Sequence, residues 1–290
     1  MAGDWRTLLF AHEEPDSILV ARIGLCYDLW TVIRYIDTHI HLDCLNAPQA
    51  QLDEARDAGV GAWIVPGTSC ERWPELMATT ERHLDVYAAP GVHPQAAGRC
   101  TATDLEELRR LLQHPRVVAL GEVGLDRLVD CPWQVQEKLF VQMIRLAREA
   151  DKPLLIHARR STARVLELLR QEGADQVGGI FHAFSGSLET AREVIALNFA
   201  IGVSGVVTFA SARRLPQVVR QVPPSALVLE TDAPDLAPEP HRGQPNRPVF
   251  LKLVAERVAA LREWNCQETA RMTTANACRI LKLPAGHVPD

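Results

Sequence analysis

The sequence predicts an α/β protein built as a TIM (β/α)8 barrel, with an extra C-terminal helix and an N-terminal extension. From residue 34 onward, short runs rich in apolar and β-branched residues alternate with longer segments of helical period, which is the pattern of βαβ units around a parallel sheet. Eight such runs occur, and eight is the strand number of this barrel. The length of 290 residues also suits a single-domain barrel.

The predicted strands are short apolar runs that read as buried. We expect them at residues 35–39, 62–65, 86–89, 117–120, 154–157, 179–182, 199–203 and 227–230. The segments between them have an amphipathic period, as at residues 104–114 and 133–150, and therefore predict helices. Plausible N-caps for these helices are Thr103, Ser161 and Ser187.

The barrel is expected to occupy residues 34–282, between an extension of unknown order at 1–33 and a tail at 283–290. Residues 247–261 would form the eighth helix, and residues 267–281 a surplus helix covering the outside of the barrel. The competing fold is an open doubly wound sheet, which normally has a glycine-rich phosphate turn after its first strand. That position holds His-Ile-His-Leu-Asp instead, which favours the barrel.

Composition and charge exclude several classes of protein. With 47% hydrophobic and 23% charged residues, the chain is of ordinary globular composition. Its net charge of -5 gives no overall attraction to nucleic acid or to an anionic membrane, so that any polyanion must be attracted locally. The 7 cysteines are scattered and form no C-x-x-C, which argues against a disulfide framework or zinc ribbon and favours the cytoplasm. No export signal or membrane span is evident.

His39 and His41 stand at the end of the first predicted strand, in the stretch YIDTHIHLDC. Side chains at positions i and i+2 of a strand point to the same face. Two imidazoles side by side on a rigid element are suited to binding zinc or a related divalent ion. The alternative for an isolated H-x-H is a pair of polar residues that only form hydrogen bonds at a strand end.

Four further polar residues end other predicted strands. A barrel brings all carboxyl strand ends to one rim, where the active sites of this architecture form. The convergence of histidines and carboxylates there predicts a metal site. These four residues are Glu122, His157, His182 and Asp232.

The chain resembles the TatD family of metal-dependent deoxyribonucleases, within the wider group of amidohydrolase-like barrels. The resemblance covers about residues 35–282 and rests on the segments IDTHIHLD, GVHP, GEVGLD, LIHARR, FHAFSGS, IGVSGVV, LETDAPDLAP and GQPNRP. It implies two divalent ions. The implied ligands are His39, His41 and Asp232 for the first ion and His157 and His182 for the second, with Glu122 bridging both.

Two neighbouring cations sharing a carboxylate can activate a water and stabilise the attacking and leaving oxygens of a phosphodiester. Asp232 is the candidate general base, and acting as a ligand alone is the alternative role. The resemblance implies DNA as the substrate, cut from a 3' end on single strands. Mg²⁺ is the expected ion in activity, and Zn²⁺ or Mn²⁺ would also suit these ligands.

Other polar residues at the rim are candidates for substrate contact. His93, in GVHP, is placed near the scissile phosphate by the resemblance, although capping a loop is a plainer role. Arg159 is the best candidate for a phosphate contact, and Arg242 and Arg247 are further candidates that would otherwise be solvated loop charges. Asp43 and Asp126 are expected to orient imidazoles or shape loops rather than to bind metal.

Two alternative functions remain open at this point. The same barrel could hydrolyse a small-molecule ester, lactone or amide, or an aminoacyl-tRNA, because a fold does not determine a reaction. The chain could instead be a non-catalytic subunit of a larger complex, with the N-terminal extension, which family members usually lack, binding a protein partner.

Overall fold

The computed structural model describes residues 34–283, so the predicted extension and almost all of the predicted tail lie outside the described residues. Within that range the chain forms strands β1 Tyr35–Asp37, β2 Val60–Pro66, β3 Val86–Ala89, β4 Leu120–Asp126, β5 Leu154–Arg159, β6 Gly179–Phe181, β7 Phe199–Val203 and β8 Leu227–Leu229. The helices are α1 Pro48–Asp57, α2 Trp73–Arg82, α3 Ala102–Leu111, α4 Trp133–Glu149, α5 Thr162–Gln171, α6 Leu188–Ala196, α7 Arg214–Gln221, α8 Leu251–Arg262 and α9 Cys266–Leu281.

All strand pairings are parallel and follow chain order, in one arc from β1 to β3 and a second arc from β4 to β8. The arcs are joined at both ends. Between β3 and β4, the N–H of Val118 donates to the carbonyl of Ala88 at 3.0 Å; between β1 and β8, the N–H of Thr38 donates to Leu229 at 3.0 Å. The predicted eight-stranded barrel is therefore confirmed, and all carboxyl strand ends lie at one mouth.

The fourth strand differs most from its prediction. The apolar run at residues 117–120 was expected to be the strand, with Glu122 following it, but β4 begins only at Leu120 and continues to Asp126. Val117 makes an isolated bridge with Ala88 before the strand begins, and the register against β5 shifts between Leu120 and Val123. Glu122 thus lies inside the strand, and its burial there requires polar partners.

The barrel interior is filled by one apolar cluster, with Ile36, Ile64, Leu155 and Val228 among its members. Helix α9 contributes Leu281 to this cluster, so the extra C-terminal helix is present but does not cover the outside of the barrel. The Asn276 amide donates to the carbonyl of Leu227, the first residue of β8, at 2.9 Å. Helix α9 therefore closes the amino end of the barrel, opposite the mouth, where interior apolar side chains would otherwise contact water.

The helix starts show how local sequence sets the boundaries. Helix α3 is capped by Thr101, not by the predicted Thr103, because Thr101 and Asp104 have the spacing of a capping box and both of its hydrogen bonds form. Ser187 caps α6 as predicted. Ser161 precedes α5, but its hydroxyl donates to the carbonyl of Leu125 instead. Within residues 34–283, no helix combines the length and hydropathy that a membrane span requires.

Candidate metal centre

The polar residues predicted for the mouth come together from five strands. His39 and His41 follow β1, Glu122 lies in β4 and His157 in β5, His182 follows β6, and Asp232 follows β8. The backbone N–H of Asp232 donates to the carbonyl of His39 at 2.9 Å, and the N–H of His41 donates to Ala233 at 2.9 Å. Asp232 has φ 61°, a left-handed conformation that aspartate tolerates better than most residues. The loops after β1 and β8 are thus joined at the site.

Glu122 lies at the centre of the cluster, and its two oxygens face different histidines. Oε2 is 3.5 Å from Nε2 of His39 and 3.8 Å from Nε2 of His41. Oε1 is 2.7 Å from Nδ1 of His157 and 3.9 Å from Nε2 of His182. One carboxylate oxygen therefore faces His39 and His41, and the other faces His157 and His182.

Asp232 contacts both pairs. Its Oδ1 lies 3.5 Å from Nε2 of His41 and 3.5 Å from Nε2 of His182. The rings of His39 and His182 are stacked with their centroids 3.5 Å apart. The cluster is therefore compact, with imidazole nitrogens and carboxylate oxygens converging on a small volume.

The donor set fits divalent cations. Neither ring nitrogen of the fully buried His39 has a hydrogen-bond partner among the described residues, which is costly unless another group satisfies them. Imidazole nitrogens and carboxylate oxygens are the usual ligands of zinc and manganese. Three groups of side chains at the mouth have the spacing to hold a metal ion: His39, Glu122 and His182; His39, His41 and Asp232; and His93, Glu122 and His157.

The histidines keep the two carboxylates of the cluster in their charged forms. Burial alone would raise the pKa of Glu122, but His157 and His39 beside it hold that pKa well below its ordinary value. Burial likewise opposes the shift at Asp232, whose pKa is lowered mainly by His182. Both carboxylates are thus ionised at neutral pH, which is the form that binds a cation.

His157 is oriented by a second carboxylate, as the sequence predicted for Asp126. Nε2 of His157 lies 3.2 Å from Oδ2 of Asp126, on the side of the ring away from Glu122. Asp43 does not contact an imidazole but fits the other role expected of it, because its ion pair with Arg72 links the loop after β1 to the loop after β2. Both Asp43 and its partner Arg72 are on the surface of the protein.

Glu230 is a residue of the site that the sequence reasoning missed. It is fully buried directly after β8, where Oε1 accepts the N–H of Ala183 at 2.6 Å and lies 3.1 Å from Nδ1 of His182. Burial alone would lower the pKa of His182, but Glu230 and then Asp232 raise it to about 10. A glutamate at the end of a fully apolar strand was the available signal, since such a charge is buried only with a partner.

Asp37 is the second missed residue. It is fully buried at the end of β1, and its carboxylate accepts the N–H of Thr231 at 2.9 Å and the hydroxyl of Thr231 at 2.6 Å. Burial raises the pKa of Asp37 to about 7, although the hydrogen bonds from Thr231 and His39 act in the opposite direction. Asp37 thereby fixes the end of β1 against the segment that carries Asp232.

His93 lies at the mouth and also caps a loop. Its Nδ1 accepts the N–H of Gln95 at 3.2 Å, and its ring meets that of His157 edge to face at a centroid distance of 4.4 Å. Burial lowers the pKa of His93 to about 4. Because Nδ1 is an acceptor, the neutral ring carries its proton on Nε2.

The predicted arginines are found in different surroundings. Arg159 is the last residue of β5, is exposed, and forms no ion pair within the part of the chain that the structure describes. Arg242 lies over the ring of Phe209 and 4.0 Å from a Glu239 oxygen. Arg247 forms an ion pair with Glu54. Only Arg159 of the three is therefore without a carboxylate partner.

A cleft of about 540 Å³ opens beside the site, between the loops after β1 and β8. Cys44 and Pro234, close in sequence to His41 and Asp232, line one side. The stacked rings of His241 and Phe250, with centroids 4.1 Å apart, line another. The cleft adjoins the loops that carry His41 and Asp232 and has the volume to hold part of a substrate.

A parallel barrel with imidazoles and carboxylates gathered at its mouth defines the class of metal-dependent barrel hydrolases. The family model described as "TatD related DNase" matches residues 36–282. The metal-dependent hydrolase YabD of Bacillus subtilis (strain 168) is 40% identical over 254 residues, covering 85% of this chain and 98% of YabD. The metal-dependent hydrolase TatD of Mycobacterium tuberculosis (H37Rv) is 39% identical over 261 residues, covering 86% and 98%. The chain belongs to the TatD family of metal-dependent hydrolases.

Solved structures show the same fold. The crystal structure of YjjV, a TatD homologue from Escherichia coli K12, superposes with a TM-score of 0.83 at 34% identity, covering 88% of this chain and all (100%) of YjjV. A dihydroorotase from Saccharomyces cerevisiae superposes with a TM-score of 0.57 at 11% identity. The second likeness concerns the barrel alone.

Proposed function

We propose that the protein is a divalent-metal-dependent deoxyribonuclease that hydrolyses phosphodiester bonds of DNA through a two-metal site. The observation that carries this proposal is the position of Glu122. One of its oxygens faces His39 and His41, and the other faces His157 and His182, as expected for a carboxylate shared by two cations. The family description of a DNase supports the choice of DNA.

In this proposal each ion has its own ligands. His39, His41 and Asp232 would hold the first, and His157 and His182 the second, with Glu122 shared. When bound, two such cations would favour ionisation of a water and stabilise negative charge on the phosphodiester oxygens. Mg²⁺ is the ion proposed for activity, because phosphoryl chemistry with a carboxylate bridge commonly uses it, and Zn²⁺ or Mn²⁺ would suit the histidines.

The side chains of the chain supply the remaining roles. Asp232 is proposed to take the proton of the attacking water, because its ionised carboxylate lies among the histidines rather than in an ion pair with a lysine or arginine. His93 would donate a hydrogen bond from Nε2 to a phosphate or leaving-group oxygen, since its Nδ1 is already an acceptor. Arg159 would bind a backbone phosphate.

The substrate is proposed to be single-stranded DNA, cut from its 3' end. The DNA strand would enter along the cleft that Pro234 and Phe250 line. Arg242 and Arg247 are further candidates for phosphate contact there, if a phosphate replaces the carboxylates of Glu239 and Glu54 as their partners. Affinity would depend mainly on phosphates and therefore fall with salt. The proposed setting is the cytoplasm, which the six free cysteines among the described residues support.

The testing experiment uses a single-stranded oligonucleotide labelled at its 5' end, with or without a 3' block. Added Mg²⁺ or Mn²⁺ should give stepwise shortening of the unblocked strand, while EDTA and the substitution Asp232→Asn should abolish it. Asp235→Asn is the matched control, because Asp235 is exposed on the same loop. Lack of cleavage with every metal would refute the DNase proposal, and cleavage of the blocked strand would refute the exonuclease part alone.

One observation favours a second candidate, a hydrolase of a small-molecule ester, lactone, amide or aminoacyl-tRNA. Arg247 and Arg242 are both near carboxylates, those of Glu54 and Glu239, so the β8 side of the mouth has less free positive charge than phosphate binding would require. A panel of such esters and lactones, assayed beside the oligonucleotide, separates the two candidates. Turnover of a panel member without DNA cleavage would favour this second reading.

A further inference from the structure

Away from the barrel mouth cluster, three potential metal ligands converge from separate parts of the chain. They are Cys70, after β2, Cys100, at the end of the 3₁₀ turn after β3, and Asp104, in the first turn of α3. One ligand atom of each lies within 4.8 Å of the others, and all three residues are partly buried. Their spacing along the sequence gave no hint of this, because Cys70 and Cys100 are not in a C-x-x-C motif.

We propose that Cys70, Cys100 and Asp104 form a separate binding site for a thiophilic divalent cation, with Zn²⁺ as the ion of best fit. Thiolates and carboxylates are both zinc ligands, whereas magnesium and calcium prefer oxygen ligands alone. Three protein ligands leave one tetrahedral position for water, which the partial exposure of the site allows. On binding, the two thiols release their protons to solvent and both sulfurs bond to the ion.

The carboxylate of this site is already fixed in place. Oδ2 of Asp104 accepts the N–H of Thr101 at 2.8 Å and the Thr101 hydroxyl at 2.6 Å. Oδ1 accepts no hydrogen bond from the described residues. Partners of this kind orient a metal ligand and reduce the entropy lost on binding. The capping box of α3 therefore holds the Asp104 carboxylate in one orientation and leaves its Oδ1 without a partner among the described residues.

The sulfur atoms of Cys70 and Cys100 lie within 4.8 Å of each other. At this separation the interaction between the two thiols raises the pKa of Cys70 and lowers that of Cys100. The neighbouring residues link the same two loops, since Arg99 lies 3.3 Å from Glu71. A cation at this position would thus bridge loops that already pack together.

The expected consequence is mechanical. The loop after β3 contains His93, whose N–H donates to the carbonyl of Thr68 in the loop after β2 at 3.0 Å. An ion held by Cys70 and Cys100 would fix these loops to each other close to His93. The site is independent of the proposed nuclease activity, because none of its ligands belongs to the barrel mouth cluster.

The test uses Co²⁺ as a spectroscopic probe of the reduced full-length protein. Thiolate ligands give Co²⁺ an intense near-ultraviolet charge-transfer band, which the histidines and carboxylates of the mouth cannot produce. We expect this band once Co²⁺ saturates the protein, its loss in Cys70→Ser and in Cys100→Ser, and a higher Co²⁺ concentration for half-maximal band intensity in Asp104→Asn. Cys44→Ser is the matched control and should retain the band, because Cys44 is an exposed cysteine outside the cluster. Zn²⁺ should displace the cobalt.

Three results would overturn the proposal. The first is absence of the charge-transfer band in the reduced protein, and the second is persistence of the band when Cys70 and Cys100 are both serine. The third is formation of a Cys70–Cys100 disulfide, in preference to metal binding, when the protein is given Zn²⁺ together with glutathione disulfide. Circular dichroism of each variant shows whether the barrel remains folded. If either single serine variant unfolds, Cys70→Ala and Cys100→Ala replace it, and these alanine variants must also lack the band.

Discussion

Gly202 in β7 faces Glu230, the residue directly after β8, and a Cβ atom at position 202 would overlap Oε2 of Glu230. Because Gly202 has no side chain, the buried Glu230 carboxylate fits between two strands of the barrel. Glu230 in turn lies against His182. Gly202 thus makes room for the Glu230 carboxylate, and this carboxylate lies against the candidate metal ligand His182.

The first prediction concerns this glycine. Gly202→Ala should lower the free energy of unfolding by about 1–3 kcal/mol, the usual cost of overpacking a buried site. Urea unfolding followed by circular dichroism measures it. Gly98→Ala is the control, because its nearest neighbour would be Sγ of Cys131 at 3.9 Å, an ordinary contact. Equal stability of the two variants would show that Glu230 moves aside freely.

The second prediction concerns Glu230 itself. Glu230→Gln should keep the packing but remove the charge that faces Nδ1 of His182, and partners of this kind affect metal affinity by about 10- to 100-fold. Calorimetric titration with Mn²⁺ measures the loss. Glu189→Gln, an exposed change on α6, should leave affinity unchanged. Unaltered Mn²⁺ affinity in Glu230→Gln would remove the residue from the site.

The third prediction concerns Arg159, which has no carboxylate partner among the described residues. If it binds a backbone phosphate, Arg159→Ala should raise KM for a single-stranded oligonucleotide and reduce the slope of log affinity against log salt by about one. Arg192→Ala, an exposed arginine on the outer helix α6, is the comparison. The same salt slope in both variants would exclude Arg159 from phosphate contact.

Much of the fold could be predicted from sequence because buried parallel strands are continuous apolar runs, and β3 and β7 have the predicted bounds. The fourth strand could not be placed this way. Its apolar run precedes the regular strand, while Glu122 lies within β4 as part of a polar cluster contributed by distant strands. Local hydrophobicity carries no information about such partners.

The candidate site was likewise predictable from the sequence only in part. His39, His41, His157, His182 and Asp232 could be named because each follows or ends an apolar run and barrels collect such ends. Glu230 and Asp37 were missed since their role depends on partners nearly 50 to 200 positions away, at Ala183 and Thr231. Long-range partnerships of this kind are visible only once the chain is folded.

The central claim is that Glu122 shares one carboxylate between two cations. The direct measurement is Mn²⁺ stoichiometry and affinity, in a Cys70→Ser/Cys100→Ser background to exclude thiolate binding. The account predicts two ions per chain, and a loss of at least one of them in Glu122→Ala but not in Glu106→Ala, which changes an exposed glutamate on α3. A single ion in the parent protein, or two ions bound with unchanged affinity in Glu122→Ala, would contradict it.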